Sequence, residues 1–206
     1  MGLNKLIVAS FKRSFEEKCF KLITEAYVSA KETKAIQLNW EENDITSELH
    51  THIHQNPLRL KWSIITNVEQ HLSKKEINKE KGFAAKLPRI DLRLATINSS
   101  LEYVYHMEAK NLKERDSGLK RRYIDTGINN FVSFKYENGC LVGYLLEGDL
   151  VKTVEGVNNL LKKDRRDSEC LKSMRYNLHD SYYESEHPDN LLLKHFIFDF
   201  TSFSSA

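Results

Sequence analysis

Apolar residues recur every three or four places at the start of the chain: Leu3, Ile7, Phe11, Phe15, Cys19, Leu22 and Ala26. That spacing predicts an amphipathic helix over residues 3–30, with Lys12, Arg13, Glu16, Glu17 and Lys21 on its wet side. A polar connector over 31–38 leads to a second helix. Asn43 or Asp44 supplies its cap, Ile45, Leu49 and Ile53 form its buried stripe, and Pro57 marks its end. The period then changes from 3.6 to 2. Leu58, Leu60, Trp62 and Ile64 alternate with Arg59, Lys61 and Ser63, which predicts a strand. Residues 69–86 are rich in lysine and poor in apolar side chains, and read as a mobile loop.

Two strongly alternating runs follow. Ile90, Leu92 and Leu94 interleave with Arg89, Asp91 and Arg93; Tyr103, Tyr105, Met107 and Ala109 interleave with Val104, His106, Glu108 and Lys110. Asn98-Ser99-Ser100 between them is turn chemistry, so the pair is predicted as an antiparallel hairpin. Side chains two apart on a strand share a face, which puts Glu108 and Lys110 together. Once the strands pair, Asp91 comes beside Glu108. Two carboxylates and an ammonium then converge on a spot suited to a hard divalent cation and an attacking water.

Tyr123, Ile124, Ile128 and Phe131 return to helical spacing with Gly127 inside, where glycine costs about 1 kcal/mol relative to alanine. Close approach of this helix to the sheet is the expected reason. Lys120, Arg121 and Arg122 are predicted to open the helix, where they oppose its macrodipole, and so read as contacts to nucleic-acid phosphate. Asn138-Gly139 signals a turn, and the nearly continuous apolar run over 140–146 suits a central strand. Val154, Val157, Leu160 and Leu161 predict an amphipathic helix over 151–163. The apolar stretch over 191–200 closes the chain as a strand, in a hairpin around His187-Pro188-Asp189-Asn190. There are no repeats or linkers, so residues 1–206 are expected to form a single domain.

The composition changes this picture little. Hydrophobic residues at 40% and charged residues at 29% describe a soluble globular protein with a core of its own. A formal charge of +2 permits nucleic-acid binding only through a local basic patch. Cys19, Cys140 and Cys170 are far apart and in no metal-like spacing, which suits a reducing, cytoplasmic location rather than a disulfide framework. No apolar run reaches membrane-spanning length, and Lys12 and Arg13 interrupt the apolar N-terminus, so neither a membrane partner nor a secretory leader is expected. His50, His52 and His54 alternate on a helix, point in separate directions, and are expected in solvated or incidental positions.

Asp91, sixteen intervening residues, then Glu108-Ala109-Lys110 after an apolar strand resembles the PD-(D/E)xK, or restriction-endonuclease-like, nuclease superfamily. The order of elements over about 43–146 is similar too, although Pro88 is not adjacent to Asp91. The resemblance implies an α/β fold with a restriction-endonuclease-like core, a mixed central β-sheet flanked by helices. It implies Mg²⁺-dependent (or Mn²⁺-dependent) cleavage of nucleic acid, DNA before RNA. Asp91, Glu108 and Lys110 would be catalytic. Asp91 and Glu108 would hold the metal, and Glu48 falls where many members carry an extra helix glutamate, with Glu42 as its rival. Lys110 would orient or help deprotonate the water. Small members often act as effectors of prokaryotic anti-phage or anti-plasmid systems, commanded by a sensor or ATPase subunit. The chain shows no sequence-reading module, so a protein partner or a homo-oligomer is expected to restrain it. Two alternatives stay open: a catalytically silent nucleic-acid-binding or scaffold subunit, and a metal-independent ribonuclease using His187 or His195 with a carboxylate.

Overall fold

The computed structural model describes residues 5–71, 89–98, 101–136 and 138–201. Leu3, most of the lysine-rich segment, Pro88 and the Ser99-Ser100 turn lie outside the described residues. Three helices lead the chain: α1 (Lys5–Glu32), α2 (Glu42–Gln55) and α3 (Pro57–Lys61). Strands β1 (Ile64–His71), β2 (Arg89–Asn98) and β3 (Leu101–Lys113) follow. Then come α4 (Ser117–Arg122), a π-helical turn (Tyr123–Ile128) and α5 (Asn129–Val132), which run on as one rod. The chain closes with β4 (Gly139–Glu147), α6 (Leu150–Lys163), β5 (Lys172–Ser173), β6 (Tyr182–His187) and β7 (Leu191–Asp199).

Among the described residues seven strands make one mixed sheet in the order β1-β2-β3-β4-β7-β6-β5. β2 and β3 form the expected antiparallel hairpin, and β3, β4 and β7 run parallel through the middle. β4 is buried on both faces, as its unbroken apolar run requires. One face packs Leu92, Leu94, Tyr105 and Phe196 against Phe20 and Ile23 of α1 and Ile45, Leu49 and Ile53 of α2. The other packs Leu112, Leu141 and Ile197 against Tyr123, Ile124 and Ile128 and against Val157 and Leu161 of α6. The architecture is mixed α/β, helices on both faces.

Three expectations are corrected. Residues 58–62 are not a strand: the Asn56 side chain accepts from the Leu58 N–H at 2.9 Å and Pro57 takes the first helical position, so α3 forms instead. Ser63, at φ 53°, then turns the chain, and β1 starts at Ile64 and runs on through His71, into the segment expected as loop. Second, Lys120, Arg121 and Arg122 do not open a helix. Asp116 caps α4 three residues earlier through the Leu119 N–H, so the basic cluster closes α4 and the macrodipole argument falls. Third, neither Asn43 nor Asp44 is the cap of α2: the helix begins at Glu42 with Glu41 in the cap position, and the Asp44 side chain reaches back to the Glu41 N–H at 3.1 Å.

Candidate active site

The β2–β3 pairing runs from Asn98↔Leu101 back to Leu92↔Met107 and stops there. Before that point β2 pairs only with β1, while β3 continues beside β4 through Glu108, Ala109 and Lys110. The strands part at the level of Asp91. There the Asp91 side chain replaces the missing ladder partner: its Oδ2 accepts from the Ala109 N–H at 2.7 Å.

Glu108 and Lys110 share a face of β3, as their spacing requires, and both are buried. Lys110 Nζ donates to Glu108 Oε1 at 2.8 Å and to the Ala109 carbonyl at 2.6 Å. The same ammonium lies 3.9 Å from Glu42 Oε2, and Glu42 also accepts from the Asn111 N–H and pairs with Arg122. Glu42, in the first turn of α2, is therefore the helix glutamate of the site. Glu48 is not: it sits six residues on, about 240° around the helix and about 9 Å along it, and its Oε1 lies 3.5 Å from His52 Nε2.

The remaining two donors to Glu108 come from the rod that crosses over to β4. Asn130 Nδ2 reaches Glu108 Oε1 at 3.2 Å and the Tyr136 hydroxyl donates to Oε2 at 2.6 Å. Gly127 lets the π-helical turn lie against the sheet, as expected; a Cβ there would stand 3.0 Å from Leu141 and 3.5 Å from the Lys110 stem. Of the basic cluster, only Arg122 faces the site, through Glu42. Arg121 pairs with Asp164 and Lys120 donates to the Glu114 carbonyl, so both tie α4 to its neighbours.

Three carboxylates thus meet two cations. Burial, and then the charge of Glu108, push the Asp91 carboxyl up to about 6, against the opposing pull of Lys110 and the Ala109 N–H. Burial works to lower the Lys110 ammonium, but Glu108, Asp91 and Glu42 together outweigh it and hold its pKa above the usual lysine value. Lys110 therefore carries its proton. It can orient a water and offset negative charge. Burial and Glu108 push the Tyr136 hydroxyl far above its ordinary range, which keeps it a donor.

The oxygen donors present, from Glu42, Asp91, Glu108 and the Ala109 carbonyl, are those a hard divalent cation takes. The buried Asn111 Oδ1, in the same stretch of β3, has no hydrogen-bond partner. Among the described residues no three His, Cys, Asp or Glu side chains already stand at caging distance, and the Lys110 ammonium bridges Glu108 and Glu42. Access is from the side of Asp91, which lines a cleft of about 290 Å³ with Asn43, Asp44, Thr46 and Ser47 of α2 and Val68 of β1. A larger cleft of about 490 Å³, between the end of α1 and residues 177–181, touches none of the site residues.

The two candidate histidines lie elsewhere, and they do have partners. His187 Nδ1 bonds Glu169, and its Nε2 lies 2.6 Å from Ser185 Oγ; Ser185 is also 2.7 Å from His195 Nε2, whose Nδ1 is 2.9 Å from the Tyr123 hydroxyl. Glu169 takes two bonds from Arg166, which donates on to Asn129 Oδ1 at 2.9 Å. Ser185 and His195 are wholly buried in this row of hydrogen bonds. The earlier histidines are not simply solvated either: His50 contacts Thr66 and His52 contacts Ser29.

No protein-family model, curated protein or solved structure matches the chain. Among the described residues no helix is long and apolar enough to cross a membrane.

Proposed function

We propose that the protein is a divalent-metal-dependent nuclease that hydrolyses phosphodiester bonds, with DNA as its first substrate. The observation that carries this reading is the meeting of Asp91, Glu108, Lys110 and Glu42 where β2 parts from β3. Asp91, Glu108 and the Ala109 carbonyl would hold Mg²⁺ or Mn²⁺, with Glu42 in the place first assigned to Glu48. A hard cation there supplies charge neutralisation on the scissile phosphate and a more acidic water. Lys110, held protonated, stabilises the negative charge that builds on the phosphate oxygens. Arg122, exposed over Glu42, is placed to meet a phosphate.

The resemblance to small defence effectors fits a chain whose basic cluster is mostly occupied by its own acids. We place it as the cutting subunit of a prokaryotic anti-phage or anti-plasmid complex, activated by a sensor or ATPase partner or by self-association. The test is nicking of a supercoiled plasmid in Mg²⁺, with Asp91→Ala and Lys110→Ala compared to wild type. Each substitution is expected to lower the rate by about 10²- to 10³-fold, as removal of a preorganised electrostatic group does. Undiminished nicking by both variants rules out the site.

One observation favours a silent binding subunit instead. Lys110 and Glu108 already satisfy each other inside the protein, as a structural ion pair would. On that reading wild type binds DNA but leaves the plasmid intact in Mg²⁺ and in Mn²⁺.

A further inference from the structure

The carboxylate of Glu108 is held by more than the lysine beside it. A carboxylate offers about four lone-pair directions. Three are filled from within the chain: two on Oε1, by Lys110 Nζ at 2.8 Å and Asn130 Nδ2 at 3.2 Å, and one on Oε2, by the Tyr136 hydroxyl at 2.6 Å. Tyr136 is 3% exposed, and its ring is fixed edge-on by Phe131 at 5.1 Å and flanked by His106 at 5.3 Å. Neither Asn130 nor Tyr136 is near Glu108 in sequence; the π-helical turn and α5 bring them back across the sheet.

We infer that Tyr136, helped by Asn130, is the positioning residue that fixes the plane of the Glu108 carboxylate, which would be a ligand of the divalent cation. The inference rests on the nuclease reading of the site. Tyr136 touches no reacting atom; it acts through Glu108. Without its hydroxyl the carboxylate is free to turn, and the cation loses a pre-set ligand. Outer partners of metal ligands typically account for 10–100-fold in metal affinity or activity. The alternative is a phenol that merely fills space among Phe131 and His106, and Phe would replace it without consequence for a metal.

The experiment is titration of the full-length protein with Mn²⁺ alone, followed by calorimetry, for wild type, Tyr136→Phe and Asn130→Ala. Tyr136→Phe keeps the ring contacts and is expected to bind Mn²⁺ about 10-fold or more weakly, with Asn130→Ala weakened less. Melting temperatures should stay close to wild type. In plasmid nicking, raising Mn²⁺ should restore the rate of Tyr136→Phe but not that of Asp91→Ala. Equal Mn²⁺ affinity in wild type and Tyr136→Phe overturns the positioning role while leaving the nuclease reading in place. Should Tyr136→Phe fail to fold, Asn130→Ala decides, because its half-buried side chain is dispensable to the core; unchanged Mn²⁺ affinity there overturns the role. Wild type that binds no Mn²⁺ overturns the metal reading and this inference with it.

Discussion

At the scale of single residues, Asp91 and His195 pull the stability of the fold in opposite directions. Asp91 has a folded value of about 6, above its ordinary 3.8, so between those pH values the folded chain keeps a proton that the unfolded chain has lost. Its contribution is a gain at low pH that disappears as pH rises through 6, at most roughly 3 kcal/mol. Burial, and then the nearby His187, push His195 down to about 3 from 6.5. There the unfolded chain takes up the proton first, so stability is lost as pH falls through that window. Burial lowers His50, His179 and His187 as well, so the histidines together outweigh Asp91, and wild type is expected to lose stability as pH falls from 6 to 4. Asp91→Asn keeps the acceptor for the Ala109 N–H and removes the strained charge. It should melt higher than wild type at pH 8, with the advantage gone at pH 4; thermal melts across that range check it, and a lower melting point at pH 8 contradicts the assignment. Glu108 and Lys110 were legible in sequence because strand alternation groups them, and Asp91 because the expected hairpin brings it to the same end of β3. Glu42 was legible only as a rival to Glu48, since choosing between them needs the helix phase, and that is set by the cap at Glu41. Tyr136 and Asn130 carried no sequence signal, being 28 and 22 residues from their partner.

At the scale of elements, the stretch from α4 to α5 matters most. Helical spacing announced it, but not the π-helical turn in its middle, where such turns often mark functional sites. Two polar contacts hold the two ends of that turn: Tyr123 meets His195 at one end, and Asn129 accepts from Arg166 at the other. Between them Gly127 presses on Leu141, a fully buried side chain with nowhere to retreat. Gly127→Val is expected to cost about 1–3 kcal/mol by overpacking, read as a lower urea midpoint, and to push on the Lys110 stem. An unchanged midpoint argues that the turn can lift off the sheet. The failed strand at residues 58–62 teaches the complementary lesson. Its alternation was real in sequence, yet the local Asn56-Pro57 cap decided the backbone, and Leu60 ended up mostly exposed.

At the scale of the molecule, the sheet and its two helical layers were readable from periodicity, while the short β5 at the far edge was not. Charge behaves differently from its sum. The formal +2 suggested a local basic patch at Lys120, Arg121 and Arg122, but all three make internal contacts, Lys120 and Arg121 away from the site and Arg122 with Glu42 at its edge. Arg122→Ala is therefore expected to lower plasmid nicking, whereas Arg121→Ala should leave nicking and melting temperature nearly unchanged. Equal effects in the nicking assay would mean that the whole cluster meets the nucleic acid.

Ser185, His187 and Glu169 stand in the order hydroxyl, imidazole, carboxylate, at bonding distances that a serine hydrolase would share. Ser185 has no exposed surface at all. A fluorophosphonate reagent, which labels an activated serine only where solvent reaches it, should leave the folded protein unmodified. Labelling of Ser185 in native protein would mean that this side of the sheet opens in solution. Geometry of this kind, without a path for a reagent, is a brace and not a warhead.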